Sequence, residues 1–215
     1  VVEPAPEILT LADYRTRYAQ YRSDPDLQAA HAAHPFIVVW DDHEIANDAW
    51  REGAENHDPE NEGEFSARRA AAIQAWYEWL PVRPPTSAEE IIYRRLPYGD
   101  LLDLIMLDTR VIGRDQQFVY PDFVNGGIID VDATRAAAGD SGRTLLGAQQ
   151  LAWLEEQLTG STARWQILGQ QVLMGRYALP SPILEALEPS IGGDDTLAAG
   201  TAAVLAAGAA KNKAP

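Results

Sequence analysis

A chain of 215 residues with 46% hydrophobic and 23% charged content can bury a full core, which excludes general disorder. A formal net charge of −15 excludes a broad nucleic-acid-binding face, since neutralising a polyanion takes clustered Lys and Arg, whereas carboxylates in excess suit di- and trivalent cations. The absence of cysteine excludes a disulfide framework, a thiolate zinc site and a cysteine nucleophile, and no apolar run reaches the roughly 18 residues of a transmembrane segment.

Leu11, Tyr14, Tyr18 and Tyr21 recur at spacings of three and four, which predicts an amphipathic helix over residues 9–21. Ser23-Asp24-Pro25-Asp26 supplies capping side chains and a proline suited to a first turn, so a second helix is expected through Leu27 to about Ala33. The run Phe36-Ile37-Val38-Val39-Trp40 has the make-up of a strand buried on both faces, and it ends in a polar burst, Asp41-Asp42-His43-Glu44. Open α/β sheets place ligands beyond the carboxyl ends of strands, which makes this burst a candidate site. Residues 51–64 are polar and acidic with two glycines and read as a loop, and a helix follows over about 66–80 until Pro81. A second buried strand is expected over 101–107, delivering Asp108-Thr109-Arg110 at its end. Residues 113–143 read as a long insertion. Leu151, Leu154 and Leu158 share one helical face within 146–158, with Gly160 placed as a C-terminal cap. A third strand begins over 165–168 and runs towards Met174. The chain then turns Ala- and Gly-rich, with low complexity over 197–210. Strands alternating with helices predict one α/β domain.

Outside the polar burst, residue chemistry mostly points to structure. His31 and His34 flank a short helix and are expected in core or surface roles, and His57 is expected to be solvated along with the carboxylates of its loop, which lack the spacing of a calcium loop. Arg68 and Arg69 open a helix, where one can turn inward to phosphate. Arg110 at a strand end is either a phosphate contact or an ion-pair partner of Asp108. Asn47 and Asp48 either reach the site of the polar burst or cap a helix.

The pentad Trp40-Asp41-Asp42-His43-Glu44 resembles the WDDHE signature of the PhoD-like alkaline phosphatases. Collinear blocks extend the resemblance from about residue 11 to residue 175: Tyr14-Arg15 through Leu27, Asn47-Asp48-Ala49-Trp50, Gly53-Ala54-Glu55-Asn56-His57, Tyr77 to Arg83, Leu107-Asp108-Thr109-Arg110, Leu146-Gly147-Ala148-Gln149-Gln150 and Gly169-Gln170-Gln171. The resemblance implies a metallophosphatase-like β-sandwich flanked by helices, here incomplete at both ends, with residues 11–175 as the central part of the catalytic domain and 176–215 as a divergent segment. It implies Asp42 as a metal ligand and His43 near the substrate phosphoryl group; by their place in the sequence Asn47 is a second candidate ligand and Arg110 a planar fork for phosphate oxygens. The implied cofactors are Ca2+ and Fe3+. The implied activity is metal-dependent hydrolysis of phosphate monoesters and diesters, on small-molecule phosphate esters, by a periplasmic or extracellular enzyme whose export signal would precede Val1.

Chemistry agrees with that implication. A phosphate ester repels hydroxide, so cations that neutralise phosphoryl oxygens and acidify bound water favour attack, and a nearby imidazole can protonate the leaving oxygen. The family's other ligands, an early Asp and Cys, an Asp with a nearby Tyr and a late Asp-x-His, have no counterpart in these residues. The expectation is therefore impaired activity for this polypeptide taken alone. The alternative is a non-catalytic, truncated homologue acting as an acidic cation-binding or interaction module.

Overall fold

The structure, a computed structural model, describes residues 2–4, 6–85, 91–125 and 128–172. These divide into two compact units, one holding residues up to Gln117 with Thr144–Val172 and the other Phe118–Arg143.

The first unit opens with α1 (Leu11–Arg22), whose start is fixed by a reciprocal cap: Thr10 Oγ1 accepts from the Asp13 N–H and the Asp13 carboxylate accepts from the Thr10 N–H. Of the periodic positions Tyr14 is buried, while Tyr21 is exposed. The helix α2 (Pro25–Ala33) starts as its sequence suggests, with Asp24 accepting from the N–H groups of Asp26 and Leu27 and Pro25 in the first turn. The expected strand over 36–40 is absent. Phe36 and Ile37 are exposed, and side chains rather than a neighbouring strand meet the backbone, with Arg94 donating to the Val38 carbonyl at 2.6 Å and Gln171 to the Trp40 carbonyl at 2.7 Å. A β-branched run becomes a strand only where a ladder partner is available. The expected loop over 51–64 contains a short helix, α3 (Pro59–Glu62), capped by Asp58.

The long helix α4 (Phe65–Trp79) lays Phe65, Ala72, Ile73, Ala75 and Trp76 into the main core against Tyr14, Trp40 and Ile45. Trp40 meets Trp76 edge-on, with ring centroids 5.3 Å apart. A three-stranded sheet follows, in the order β1 (Arg94–Tyr98), β2 (Leu102–Met106), β5 (Trp165–Gly169), with β1 antiparallel and β5 parallel to β2. The strand β1 is not anticipated by its sequence, because Pro97 disguises it; on an edge strand the missing N–H is tolerated. The parallel pairing of β2 with β5 requires a crossover, and α6 (Gly147–Gly160) lies within it, burying Leu154 against Ile105 and Leu107. Gly160 is the last helical residue and Ser161 the cap, so the expected glycine cap lies one position later. The strand β5 ends at Gly169, and its expected run towards Met174 reaches beyond the described residues after Val172.

The second unit resolves part of the expected insertion into a 3-10 turn over Tyr120–Phe123, a short antiparallel pair of β3 (Val124–Asn125) with β4 (Ile128–Ile129), and α5 (Val131–Ala138). Phe118 meets Phe123 edge-on, and Arg143 lies 3.9 Å over the Phe118 ring. The architecture is mixed α/β.

Candidate active site

The polar burst forms a tight turn rather than a strand end. The Asp42 carbonyl accepts from the N–H groups of Ile45 and Ala46, both at 2.8 Å. Ile45, Ala46 and Ala49 are buried, and Tyr14 donates its hydroxyl to the Ile45 carbonyl at 2.6 Å. The apolar side of the turn is thus fastened to the core, and Asp41, Asp42, His43, Asn47 and Asp48 are left on the other side. Asp48 is in the left-handed region (φ 51°), a conformation that costs a non-glycine residue about 1 kcal/mol. Its N–H donates to Asp42 Oδ2 at 2.7 Å, which offsets that cost.

Arg110 arrives from the end of β2. The buried Asp108 carboxylate accepts from Trp40 Nε1 at 2.9 Å and from the N–H groups of Arg110 and Val111, both at 2.8 Å. Burial pushes its carboxyl up against the pull of those donors. Asp108 is therefore the brace of the turn that carries Arg110, and the Arg110 guanidinium turns to other carboxylates. Its Nε donates to Asp41 at 2.7 Å, and its terminal nitrogens lie 3.6 Å from Asp42 and 3.5 Å from Asp48. The expected alternative of an Arg110–Asp108 ion pair gives way to this cluster, because the Asp108 oxygens are already engaged by Trp40 and backbone N–H groups. Burial, and then the neighbouring Arg110 charge, push the Arg114 guanidinium below its usual range.

His43 stands on the exposed side of the turn, its side chain 76% accessible. Its Nε2 is 2.9 Å from Asn47 Oδ1 and 3.9 Å from Asp42 Oδ2. Asn47 in turn donates from Nδ2 to Glu55 at 2.6 Å.

The structure brings together Asp42, His43 and Asn47 on one turn and sets Arg110 against Asp42. Among the described residues no group of three or more His, Asp or Glu side chains is arranged to hold a metal ion. The donors nonetheless suit a hard cation in kind: the Asp42 carboxylate keeps free lone pairs beyond its bond from Asp48, and the Asn47 amide oxygen lies on the same side of the turn.

Other expectations resolve into structural roles. His31 stacks on Phe36 with centroids 3.9 Å apart. His57, expected to be solvated, has a side chain only 1% accessible, because its ring packs on Phe65 and its Nε2 bonds the Gly63 carbonyl at 2.9 Å. Arg68 does turn inward, towards Glu7, Glu62, the Tyr14 hydroxyl and the Asn56 carbonyl. Gln171 bridges Thr109, Trp40 and Leu107. Glu55 escaped residue chemistry, which sees one carboxylate among many in an acidic loop; its place in the block Gly53-Ala54-Glu55-Asn56-His57 was the available signal.

The described residues thus form a mixed α/β fold that sets an Asp-His turn beside a buried arginine. Residues 1–214 match the sequence model of the PhoD-like phosphatases, and the chain belongs to that family. It is 40% identical over 177 residues to alkaline phosphatase D of Bacillus subtilis (strain 168), covering 80% of this chain and 28% of that protein. A solved structure of PhoD superposes with a TM-score of 0.66 at 41% identity, covering 81% of this chain and 32% of the other. The chain thus spans about a third or less of the length of the relatives it matches.

Proposed function

We propose that this chain carries the central part of the active site of a metal-dependent phosphoesterase acting on small-molecule phosphate monoesters and diesters. The observation that supports the reading most is the convergence on one turn of a hard-oxygen pair, Asp42 and Asn47, an exposed imidazole, His43, and the guanidinium of Arg110. On this reading residues 11–175 are the middle of a larger catalytic domain, a metallophosphatase-like sandwich, and 176–215 form a divergent segment. Further ligands come from other parts of the full-length polypeptide, which is exported.

Asp42 and Asn47 would hold a cation, Ca2+ or Fe3+, whose chemistry when bound is to neutralise phosphoryl oxygens and acidify water. Arg110 offers a planar donor fork to phosphate oxygens. As a water oxygen bonds to phosphorus and gives up a proton to solvent, the ester oxygen leaves with the bonding pair and takes a proton from His43. Asp41 and Asp48 hold Arg110 in the absence of substrate.

The test is hydrolysis of p-nitrophenyl phosphate and its bis-ester at alkaline pH by the full-length polypeptide, with and without exhaustive chelation. Chelation is expected to abolish turnover, and persistence of full turnover would overturn the metal mechanism. Asp42→Asn is expected to lower bound metal, whereas His43→Ala keeps the metal and lowers turnover about 10²- to 10⁴-fold. Full metal and full rate in both variants would show the site to be elsewhere. A second reading, an acidic cation-binding module without catalysis, draws on the two oxygen donors standing short of a full coordination shell, and it predicts cation binding with no turnover in any length of the chain.

A further inference from the structure

The turn that carries Asn47 folds back on the segment that follows it. Trp50 donates its N–H to the Gly53 carbonyl at 2.8 Å, and Glu55 donates its N–H to the Asn47 carbonyl at 2.9 Å. Gly53 lies flat against the Trp50 indole, where a Cβ would collide with the ring, and Ala54 is buried. This short hairpin sets the Glu55 side chain beside Asn47 by backbone geometry.

We propose that Glu55 is a positioning residue for the His43 imidazole, acting through the Asn47 amide. This rests on the function proposed above. A carboxylate at neutral or alkaline pH only accepts hydrogen bonds, so the atom of Asn47 that meets Glu55 Oε2 at 2.6 Å is the amide NH2. The Asn47 oxygen is thereby turned to His43, and an oxygen without a hydrogen obliges Nε2, 2.9 Å away, to be the donor. The Nε2 hydrogen is committed to Asn47, so the proton passed to the leaving oxygen comes from Nδ1 of the doubly protonated ring, which is left neutral with its hydrogen still on Nε2. Without Glu55 the Asn47 NH2 loses its acceptor, the hold on the amide that faces the ring is loosened, and His43 is freer to rotate. The relay holds one nitrogen still so that the other can work.

The experiment compares wild type with Glu55→Ala, Glu55→Gln and His43→Ala in the full-length polypeptide, on an alkyl phosphate and on p-nitrophenyl phosphate. An alkoxide must be protonated to leave, whereas p-nitrophenolate leaves unaided, so misplacing His43 hits the alkyl ester selectively. Glu55→Ala is expected to lower kcat on the alkyl ester about 10- to 100-fold, with far less loss on the nitrophenyl ester and KM nearly unchanged. Glu55→Gln restores the rate, because its amide oxygen still accepts from Asn47. An equal loss on both esters, or no rescue by glutamine, would overturn the assignment. If His43→Ala itself fails to discriminate between the esters, the fault lies in the proposed role of His43; if only His43→Ala discriminates, it lies in Glu55. A readout free of turnover comes from ring 15N signals in the 215-residue chain, where four histidines keep assignment simple. The His43 signals are expected to move in Glu55→Ala and return in Glu55→Gln while those of His31 and His34 stay in place, and unmoved His43 signals would overturn the positioning role.

Discussion

Asp103 sits buried in the middle of β2, where Arg95 donates to it at 2.7 Å and the Ser161 hydroxyl donates to the same oxygen. The Arg95 guanidinium first, and the Ser161 hydrogen bond second, hold its carboxyl below its usual range. A carboxyl depressed in the folded state contributes stability that is complete above its unfolded pKa of about 3.9 and is lost as pH falls through the folded value. Wild type and Asp103→Asn should therefore differ most at neutral pH and converge in acid, as read from urea midpoints over a pH series. Parallel curves would show that the pair does not couple to folding. Residue chemistry alone did not single out Asp103, whose place in an apolar run made it look like an interruption. Asp108 was legible as the polar end of a strand, but its partners were not: a carboxylate beside an arginine in sequence suggests an ion pair, whereas the turn directs their side chains apart. His57 misled for the opposite reason, since a polar loop predicts solvation and only the fold shows Phe65 covering the ring.

At the scale of elements, helices were read from the sequence more faithfully than strands. Caps and periodic apolar residues lie within the helix itself, so Thr10, Asp24 and the alanine-rich face of α4 reveal themselves locally. A strand depends on a partner far along the chain, which is why residues 36–40 lacked a ladder and β1 gained one across from β2. The packing of α1 on α4 is tied by Arg68, whose side chain is 2% accessible and reaches Tyr14, Asn56, Glu62 and Glu7. Removing the guanidinium leaves the Tyr14 oxygen and the Asn56 carbonyl without this donor. Arg68→Met is expected to cost about 2–4 kcal/mol in chemical denaturation at an unchanged m-value. A loss under about 0.5 kcal/mol, typical of a surface substitution, would show that the network is dispensable.

For the molecule as a whole, the family is secured by the match over residues 1–214, while the span of about a third or less of its relatives bears on what this polypeptide does alone. Hard cations take about six or more oxygen ligands, so on the proposed reading the donors gathered here would bind one only weakly and exchangeably. The 215-residue chain is expected to turn over p-nitrophenyl phosphate at less than about a thousandth of the full-length rate at matched concentration with added iron and calcium, since a partial shell neither holds nor orients the cation. Equal rates would show that the site is complete within these residues. The Gln171 amide adds a constraint in time. It meets the Trp40 carbonyl from 131 positions away, and the same side chain holds Thr109 and Leu107. On a ribosome, where the amino terminus emerges first, the Asp-His turn is made early and must wait for most of the described chain before that clamp can close. A nascent chain whose residue 171 has not yet left the ribosome's exit tunnel therefore presents the turn as an open protease target, and emergence of that residue is the moment at which cleavage there should begin to slow.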